Sequence, residues 1–262
     1  VSRPMNRHGF RAFRDLLLYR LLVEPKAETR QFYLGLGWWV IEPAVYLTVL
    51  YLVFGVVLQR GGPGFAGFLL VGFVFFRWID GCARHALVSL TASQHIITQV
   101  KLPHWLFPLS DILSTSLRFA FILALLIVFC VWYSGYLGWA YLALVPILIL
   151  NLGFILGLGL CLSLLPPFFP DSRKIVDNLF ALLFFASGIF YDINSLDPLI
   201  ARYLHFNPIA SFISAYRDIM LAGRVPPAEL LFWPLVFTLI FLGSAVLGYR
   251  RFGSDVAKYL LR

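Results

Sequence analysis

The chain has 262 residues, of which 60% are hydrophobic and only 13% charged, and its formal net charge is +8. Soluble domains carry roughly 25% charged residues, so the composition excludes an ordinary water-soluble fold and points to a polytopic membrane protein. The positive charge is spread over segments that flank apolar stretches instead of gathering on one element, which argues for control of membrane topology and against nucleic-acid binding.

Residues 1–37 read as a cytoplasmic amphipathic arm at the membrane interface, carrying Arg3, Arg7, Arg11, Arg14, Arg20, Lys26 and Arg30. On a helix starting near Phe10, the side chains of Phe10, Phe13, Leu17 and Leu21 share one side, with Arg11, Arg14 and Asp15 across from them. Such a helix lies in the interface plane with its basic side toward anionic headgroups. The apolar run at 16–18 is short and is followed by Arg20, so no cleavable signal is expected and the first span serves as the insertion signal.

Six spans are predicted within a transmembrane domain covering 38–249, at about 38–58, 65–79, 112–133, 139–165, 175–190 and 230–249. The second is short unless it continues past Arg77 and Asp80, and the fifth reads as broken or re-entrant because Gly188 and Asp192 arrive early. Basic residues fall at Arg77, Arg84 and Lys101, at Arg173 and Lys174, and in the basic tail 250–262 at Arg250, Arg251, Lys258 and Arg262. The segments 59–64 and 134–138 contain Arg60 as their only basic residue. An even number of spans with both termini cytoplasmic satisfies this pattern. In 190–229, Arg202, Arg217 and Arg224 are balanced by Asp192, Asp197, Asp218 and Glu229, which places that segment outside.

Between the second and third spans, 80–105 is too polar to span and too rich in Ile, Val and Leu to be a free linker, so a cytoplasmic helix against a partner is expected, with re-entry at Pro103 and Pro108. Its histidines His85, His95 and His104 lack the i,i+4 spacing and carboxylate support of a metal site. Cys82, Cys130 and Cys161 lie in or beside apolar segments and read as small packing residues. Farther on, Asp197-Pro198 and Asn207-Pro208 each read as the start of a short helix, the second running through 209–221 to Gly223. Neither is long enough to cross a membrane, and Arg217 and Asp218 are expected at the mouth of whatever path the protein forms.

There is no phosphate loop, no His-Glu-x-x-His, no Gly-x-Ser-x-Gly and no cluster of carboxylates within the spans. Asp111 and Arg118 stand two turns apart on one helix side, positioned either to pair or to anchor at the interface. The chain reads as the passive half of an active transporter whose energy comes from another polypeptide. Aromatic residues, 17% of the chain, crowd two spans as Phe73, Phe75, Phe76 and Trp78 and as Phe180, Phe184, Phe185, Phe190 and Tyr191. They serve either as stacking faces for a sliding sugar polymer or as lipid-facing bulk.

Three motifs in order carry a family resemblance over nearly the whole chain. These are Leu34-Gly-Leu-Gly-Trp-Trp-Val-Ile-Glu-Pro43; then Ile97-Thr-Gln-Val-Lys-Leu-Pro-His-Trp-Leu-Phe-Pro108, with Leu102 where Phe is usual; and Gly188-Ile-Phe-Tyr191 followed by Phe206-Asn-Pro-Ile209 and Tyr216-Arg217. The sequence resembles the membrane permease of type-2 ATP-binding-cassette exporters, in the branch exporting O-antigen, capsular polysaccharide or teichoic acid. The resemblance implies an all-α integral membrane protein of the bacterial inner membrane, with six transmembrane helices, the interfacial arm, a cytoplasmic coupling helix between spans 2 and 3, and two short re-entrant outer helices between spans 5 and 6. It implies a homodimer with two copies of a separate nucleotide-binding ATPase, which would hold the ATP and Mg2+, while this chain holds no cofactor.

The implied cargo is a glycan on a polyprenyl diphosphate lipid. Coupling to the ATPase is expected at Arg14, Arg84, His85 and His95, and diphosphate recognition at Arg84, Lys101 and Arg118. The substrate path is expected along Phe73, Phe76, Trp78, Phe180, Phe184, Phe185 and Tyr191, and an outer gate at Pro198, Tyr203, Asn207, Pro208, Tyr216 and Arg217. Rival readings are a same-fold exporter of a small hydrophobic compound and a membrane enzyme acting on polyprenyl-linked substrates.

Overall fold

The computed structural model describes residues 37–57, 64–99, 102–135 and 138–253, so the amphipathic arm with Arg14, the side chain of Lys101 and most of the basic tail lie outside the described residues. Every regular element among the described residues is helical. In lipid a helix satisfies its own backbone hydrogen bonds, which an open strand cannot do.

Helix α1 (Trp38–Leu50) continues as a π-helical turn over Tyr51–Val57. Helix α2 (Phe65–Ala92) is followed by the short α3 (Gln94–Gln99) and then by α4 (Leu106–Ser134). A 3-10 turn at Trp139–Ala143 leads into α5 (Leu144–Ser163), with α6 (Leu165–Phe168) as its irregular extension. Helices α7 (Ser172–Ala186), α8 (Pro198–His205) and α9 (Pro208–Met220) are shorter, and α10 (Phe232–Phe252) closes the described bundle.

Four segments are long and apolar enough to cross a membrane: Phe65–Ala92, Leu106–Tyr133, Trp139–Phe168 and Ala228–Phe252. They correspond to the predicted second, third, fourth and sixth spans. The apolar part of the first span, Ala44–Val57, is shorter. The fifth, α7, has 15 residues, about 22 Å at 1.5 Å per residue against a hydrocarbon core of about 30 Å.

The largest departure from expectation lies in 80–105. Residues 80–92 do not form a separate cytoplasmic helix but complete α2, and only Gln94–Gln99 stands apart. Hydropathy misjudges this stretch because it scores each charge alone. Asp80 accepts from Arg84 Nε at 2.5 Å one turn along the same helix and lies 3.6 Å from Arg77 Nη1 on its other side. Pairing at i,i+3 and i,i+4 offsets the cost of carrying these charges into the bundle. Meanwhile Cys82, Ala83, Ala86, Leu87 and Leu90 continue the buried stripe.

Helix α2 is the hub of the fold, touching α1, α4, α5, α7 and α9. Its residues from Val71 to Asp80 are buried with one exception, Arg77. The other tight seam joins α5 to α10. A Cβ on Gly157 would stand 2.7 Å from Leu242 N, so the close approach of the two helices requires glycine there. Hydroxyls of Ser163 and Tyr249 meet at 2.7 Å and the Cys161 thiol donates to Phe241 O at 3.3 Å along the same seam. None of the three cysteines is in a disulfide.

The short helices start where the sequence signals them. Asp197 caps α8 by accepting from Leu199 N at 2.9 Å, and Asn207 caps α9 by accepting from Ile209 N at 3.0 Å. A proline follows each cap, where a missing N–H costs nothing.

Candidate functional site

A cavity of about 310 Å³ opens between α1, α2 and α4. Its walls are of two kinds. Tyr46, Phe73, Trp78 and Phe119 supply aromatic faces, while Arg77, Asp80, Arg84, His85 and Arg118 supply charge or hydrogen bonds. Tyr46 stacks on Phe73 with centroids 5.8 Å apart, and Trp78 lies flat on Phe119 at 4.1 Å. Trp78 is fixed further by donating from Nε1 to Ser116 Oγ at 3.0 Å.

The charged wall lies deep along the helices. Arg77 is twelve residues past the start of α2 at Phe65, about 18 Å along a helix of about 42 Å. Arg118 is likewise twelve residues past the start of α4 at Leu106. Both arginines therefore stand well inside segments long and apolar enough to cross a membrane, where ionisable side chains are costly. Three guanidinium groups face one cavity carboxylate. Asp80 is 4% exposed and holds Arg84 and Arg77 as described above. Arg84 also reaches across to Asp177 on α7 and lies over the Phe180 ring, its Cζ 5.8 Å from the centroid. Arg77 lies 5.8 Å over the Tyr46 ring.

The structure therefore brings together Phe73, Trp78, Arg84, His85 and Arg118 from the sequence-derived set. It adds Tyr46, Arg77, Asp80 and Asp177, which the sequence reading did not assign to a substrate site. Arg77 carried a usable signal, being an arginine beside a run of apolar residues inside a helical pattern. Asp177 carried none, because its partner is 93 residues away. His95 is exposed on α3 and does not line the cavity.

The other aromatic residues of the expected path form a packed layer behind the cavity. Phe76 contacts Phe180 and Phe184 edge to face, with centroids 6.5 and 5.2 Å apart. Phe73, Phe76, Trp78 and Phe180 are all buried within the single chain. Phe185, by contrast, is exposed on α7, and its carbonyl accepts from the Tyr191 hydroxyl at 3.1 Å.

At the other end of α2, the residues expected to gate the outer mouth divide in two. Tyr203 on α8 is exposed. Asn207 is half-buried and, besides capping α9, donates from Nδ2 to Ser187 Oγ at 3.0 Å, while Pro208 is the first residue of α9. Tyr216 and Arg217 turn inward instead of lining a mouth. The Arg217 guanidinium donates to Phe68 O from Nε and Nη2 at 3.2 and 3.0 Å, to Gly188 O at 2.7 Å and to Ile189 O at 2.9 Å. A Cβ on Gly72 would collide with this group, so glycine there makes the room. One planar fork thus ties α9 to α2 and to the turn after α7, a task suited to arginine. Asp218, its neighbour, pairs with Arg224 at 2.6 Å.

Comparison with known proteins agrees with this architecture. The family model described as ABC-2 type transporter matches residues 26–221. The chain is 27% identical over 235 residues to the O-antigen export system permease protein RfbA of Myxococcus xanthus, covering 89% of this chain and 90% of that relative. It is 25% identical over 212 residues to the RfbA of Klebsiella pneumoniae, covering 80% of this chain and 82% of the relative. To the polysialic acid transport protein KpsM of Escherichia coli it is 26% identical over 251 residues, covering 92% and 96% of the two chains.

Proposed function

The chain belongs to the ABC-2 type transporter family, and from that premise we propose that it is the membrane subunit of an ATP-driven exporter that moves lipid-linked polysaccharide out across the inner membrane. The observation that carries this reading is similarity along nearly the full length to permeases named for O-antigen export and polysialic acid transport. The chain supplies the passage, and ATP hydrolysis belongs to a separate nucleotide-binding subunit, consistent with the missing phosphate loop.

In the working assembly two copies pair around a continuous path, with α1 and α7 completing six spans per subunit. Both termini face the cytoplasm, and the ends of α2 and α10 together with the N-terminal arm meet the ATPase. Arg14, His85 and His95 contribute to coupling, and Lys101 to reception of the diphosphate. Phe184, Phe185 and Tyr191 present aromatic surface toward the path, while Phe73, Phe76, Trp78 and Phe180 back it as a packed layer. Aromatic faces stack on sugar rings with few directional demands, which suits a polymer that slides. Helices α8 and α9 form the outer gate, with Asn207, Pro208, Tyr216 and Arg217 as its hinge anchors, Pro198 starting α8 and Tyr203 on its free face.

Reconstitution with the partner ATPase in lipid vesicles tests this reading. Lipid-linked polysaccharide is expected to stimulate ATP hydrolysis and to appear on the far side of the membrane in an ATP-dependent way. Catalysis by the purified permease alone on a polyprenyl-linked substrate would overturn it. So would ATP-driven movement of small hydrophobic compounds with no response to the glycan lipid.

A further inference from the structure

The seam between α5 and α10 is tight at Gly153 and Gly157, where a Cβ would stand 3.3 Å from the Thr238 side chain and 2.7 Å from Leu242 N. Near the end where both helices begin, a groove of about 580 Å³ lies between Leu150 of α5 and the first turns of α10. Leu150, Leu231, Phe232 and Leu235 wall it, and Glu229 is the only polar residue in its lining. Phe232 and Leu235 are 56% and 47% exposed within a segment long and apolar enough to cross a membrane. A water molecule needs two or more polar partners, which these walls do not supply. Surrounded by lipid, such a groove takes an acyl chain.

Glu229 sets which lipid. It is the second residue of the span Ala228–Phe252, roughly 9 Å along the axis before Leu235. The groove is therefore charged at the membrane boundary and apolar farther in, the profile of a phospholipid. Among the described residues the Glu229 carboxylate meets no basic group, and Arg224, the nearest cation in sequence, is held by Asp218 at 2.6 Å.

We propose that this groove binds a phospholipid whose headgroup ends in a primary ammonium, as in phosphatidylethanolamine, with one acyl chain along Leu150, Leu231 and Leu235 and the ammonium on Glu229. A primary ammonium carries three N–H donors and makes charge-assisted hydrogen bonds to a carboxylate. A trimethylated ammonium keeps the charge but has no donor, and an anionic headgroup is repelled. A second copy of this chain laid over the groove would bury the carboxylate, which is costly without a counter-charge. The site also touches the gate region. Phe232 meets Trp233 edge to face at 5.3 Å, and the Trp233 ring lies 4.5 Å from that of Phe206, which joins α8 to α9. A filled groove thus supports the turn of α10 on which Phe206 rests. The proposal holds whatever the exported cargo is.

The test uses the permease–ATPase complex in detergent micelles, titrated with phosphatidylethanolamine, phosphatidylcholine or phosphatidylglycerol of identical acyl chains. Binding is read by native mass spectrometry. Phosphatidylethanolamine is expected to bind saturably, about fivefold tighter than the other two, the scale of one partly screened ion pair. Glu229→Gln is expected to erase that preference while leaving phosphatidylcholine binding unchanged, and Glu229→Asp to keep most of it. Leu235→Trp, at an exposed position, is expected to fill the groove and weaken all three lipids.

Equal affinity for the three lipids, or tighter binding of phosphatidylglycerol, would overturn the assignment. So would a preference for phosphatidylethanolamine that survives Glu229→Gln. Disulfide-linked pairs formed through Leu235→Cys in native membranes would show a second copy over the groove and overturn it as well. The exporter reading is tested apart from this, by ATP-dependent glycan movement, and stands or falls independently.

Discussion

Asn151 on α5 donates from Nδ2 to the hydroxyl of Tyr216 on α9 at 3.0 Å, and both side chains are wholly buried. The Tyr216 ring lies against Phe75 of α2, with ring planes 6° apart. Three helices that are distant in sequence are therefore locked at one point by a polar contact and a stacked pair. Interhelical hydrogen bonds in membranes average roughly 0.6 kcal/mol, but a buried amide deprived of its partner costs about 1–3 kcal/mol. Tyr216→Phe is expected to lower the thermal stability of the purified complex by that amount. Tyr216→Phe combined with Asn151→Leu, which removes both polar groups, is expected to recover most of the loss. A double variant less stable than the two single losses added together would refute this pairing as the source of the effect.

The Arg217 anchor makes a sharper demand. Lysine carries the charge but not the planar fork that reaches three carbonyls from three directions. Arg217→Lys is expected to cost about 2 kcal/mol or more in stability and to reduce transport. Arg217→Met is expected to be worse, because the carbonyls of Phe68, Gly188 and Ile189 then lose their donors. Melting curves and export assays read both, and a lysine variant of full stability would show that the charge alone suffices.

Asn207 performs two separable tasks. Its Oδ1 caps α9, while its Nδ2 donates to Ser187 Oγ and lies 3.4 Å from Ala186 O. Asn207→Asp keeps the cap and removes the donor, whereas Asn207→Ala removes both, with about 1 kcal/mol attributable to the cap. The aspartate variant is expected to retain near-normal stability but impaired export. Equal stability loss in the two variants would mean the bridge to the end of α7, and not the cap, holds the helix.

His104, just before α4, gives an acid sensitivity. Burial pushes its pKa below the ordinary imidazole value of 6.5, opposed by a hydrogen bond to the Gly253 backbone. The folded state favours the neutral ring, so its contribution to stability is complete above 6.5 and is lost as pH falls through the lowered folded value. His104→Gln is expected to flatten the decline of thermal stability below pH 6.5 without changing it at pH 8. A decline of unchanged steepness in the variant would place the acid sensitivity elsewhere.

Sequence alone determined the membrane setting, because 60% apolar residues with so few charges have no other low-energy solvent. It determined the three long spans of α4, α5 and α10, whose apolar runs are continuous, and the starts of α8 and α9, since Asp-Pro and Asn-Pro are local capping signals that need no distant partner. It also singled out Arg84 and Arg118, as basic residues expected near the cytoplasmic rim.

Only the tertiary structure decided what those charges meet. The true length of α2 depends on Asp80 being neutralised by Arg77 and Arg84, an effect that no residue-by-residue hydropathy contains. The cavity joins side chains from three helices, and Arg84 finds Asp177 at a distance in sequence that periodicity cannot span. The inward turn of Tyr216 and Arg217 likewise follows from where α2 and α5 place Phe75, the Phe68 carbonyl and Asn151. Local propensity and solvent preference are written residue by residue, whereas the pairing of buried charges is settled by which helices pack together.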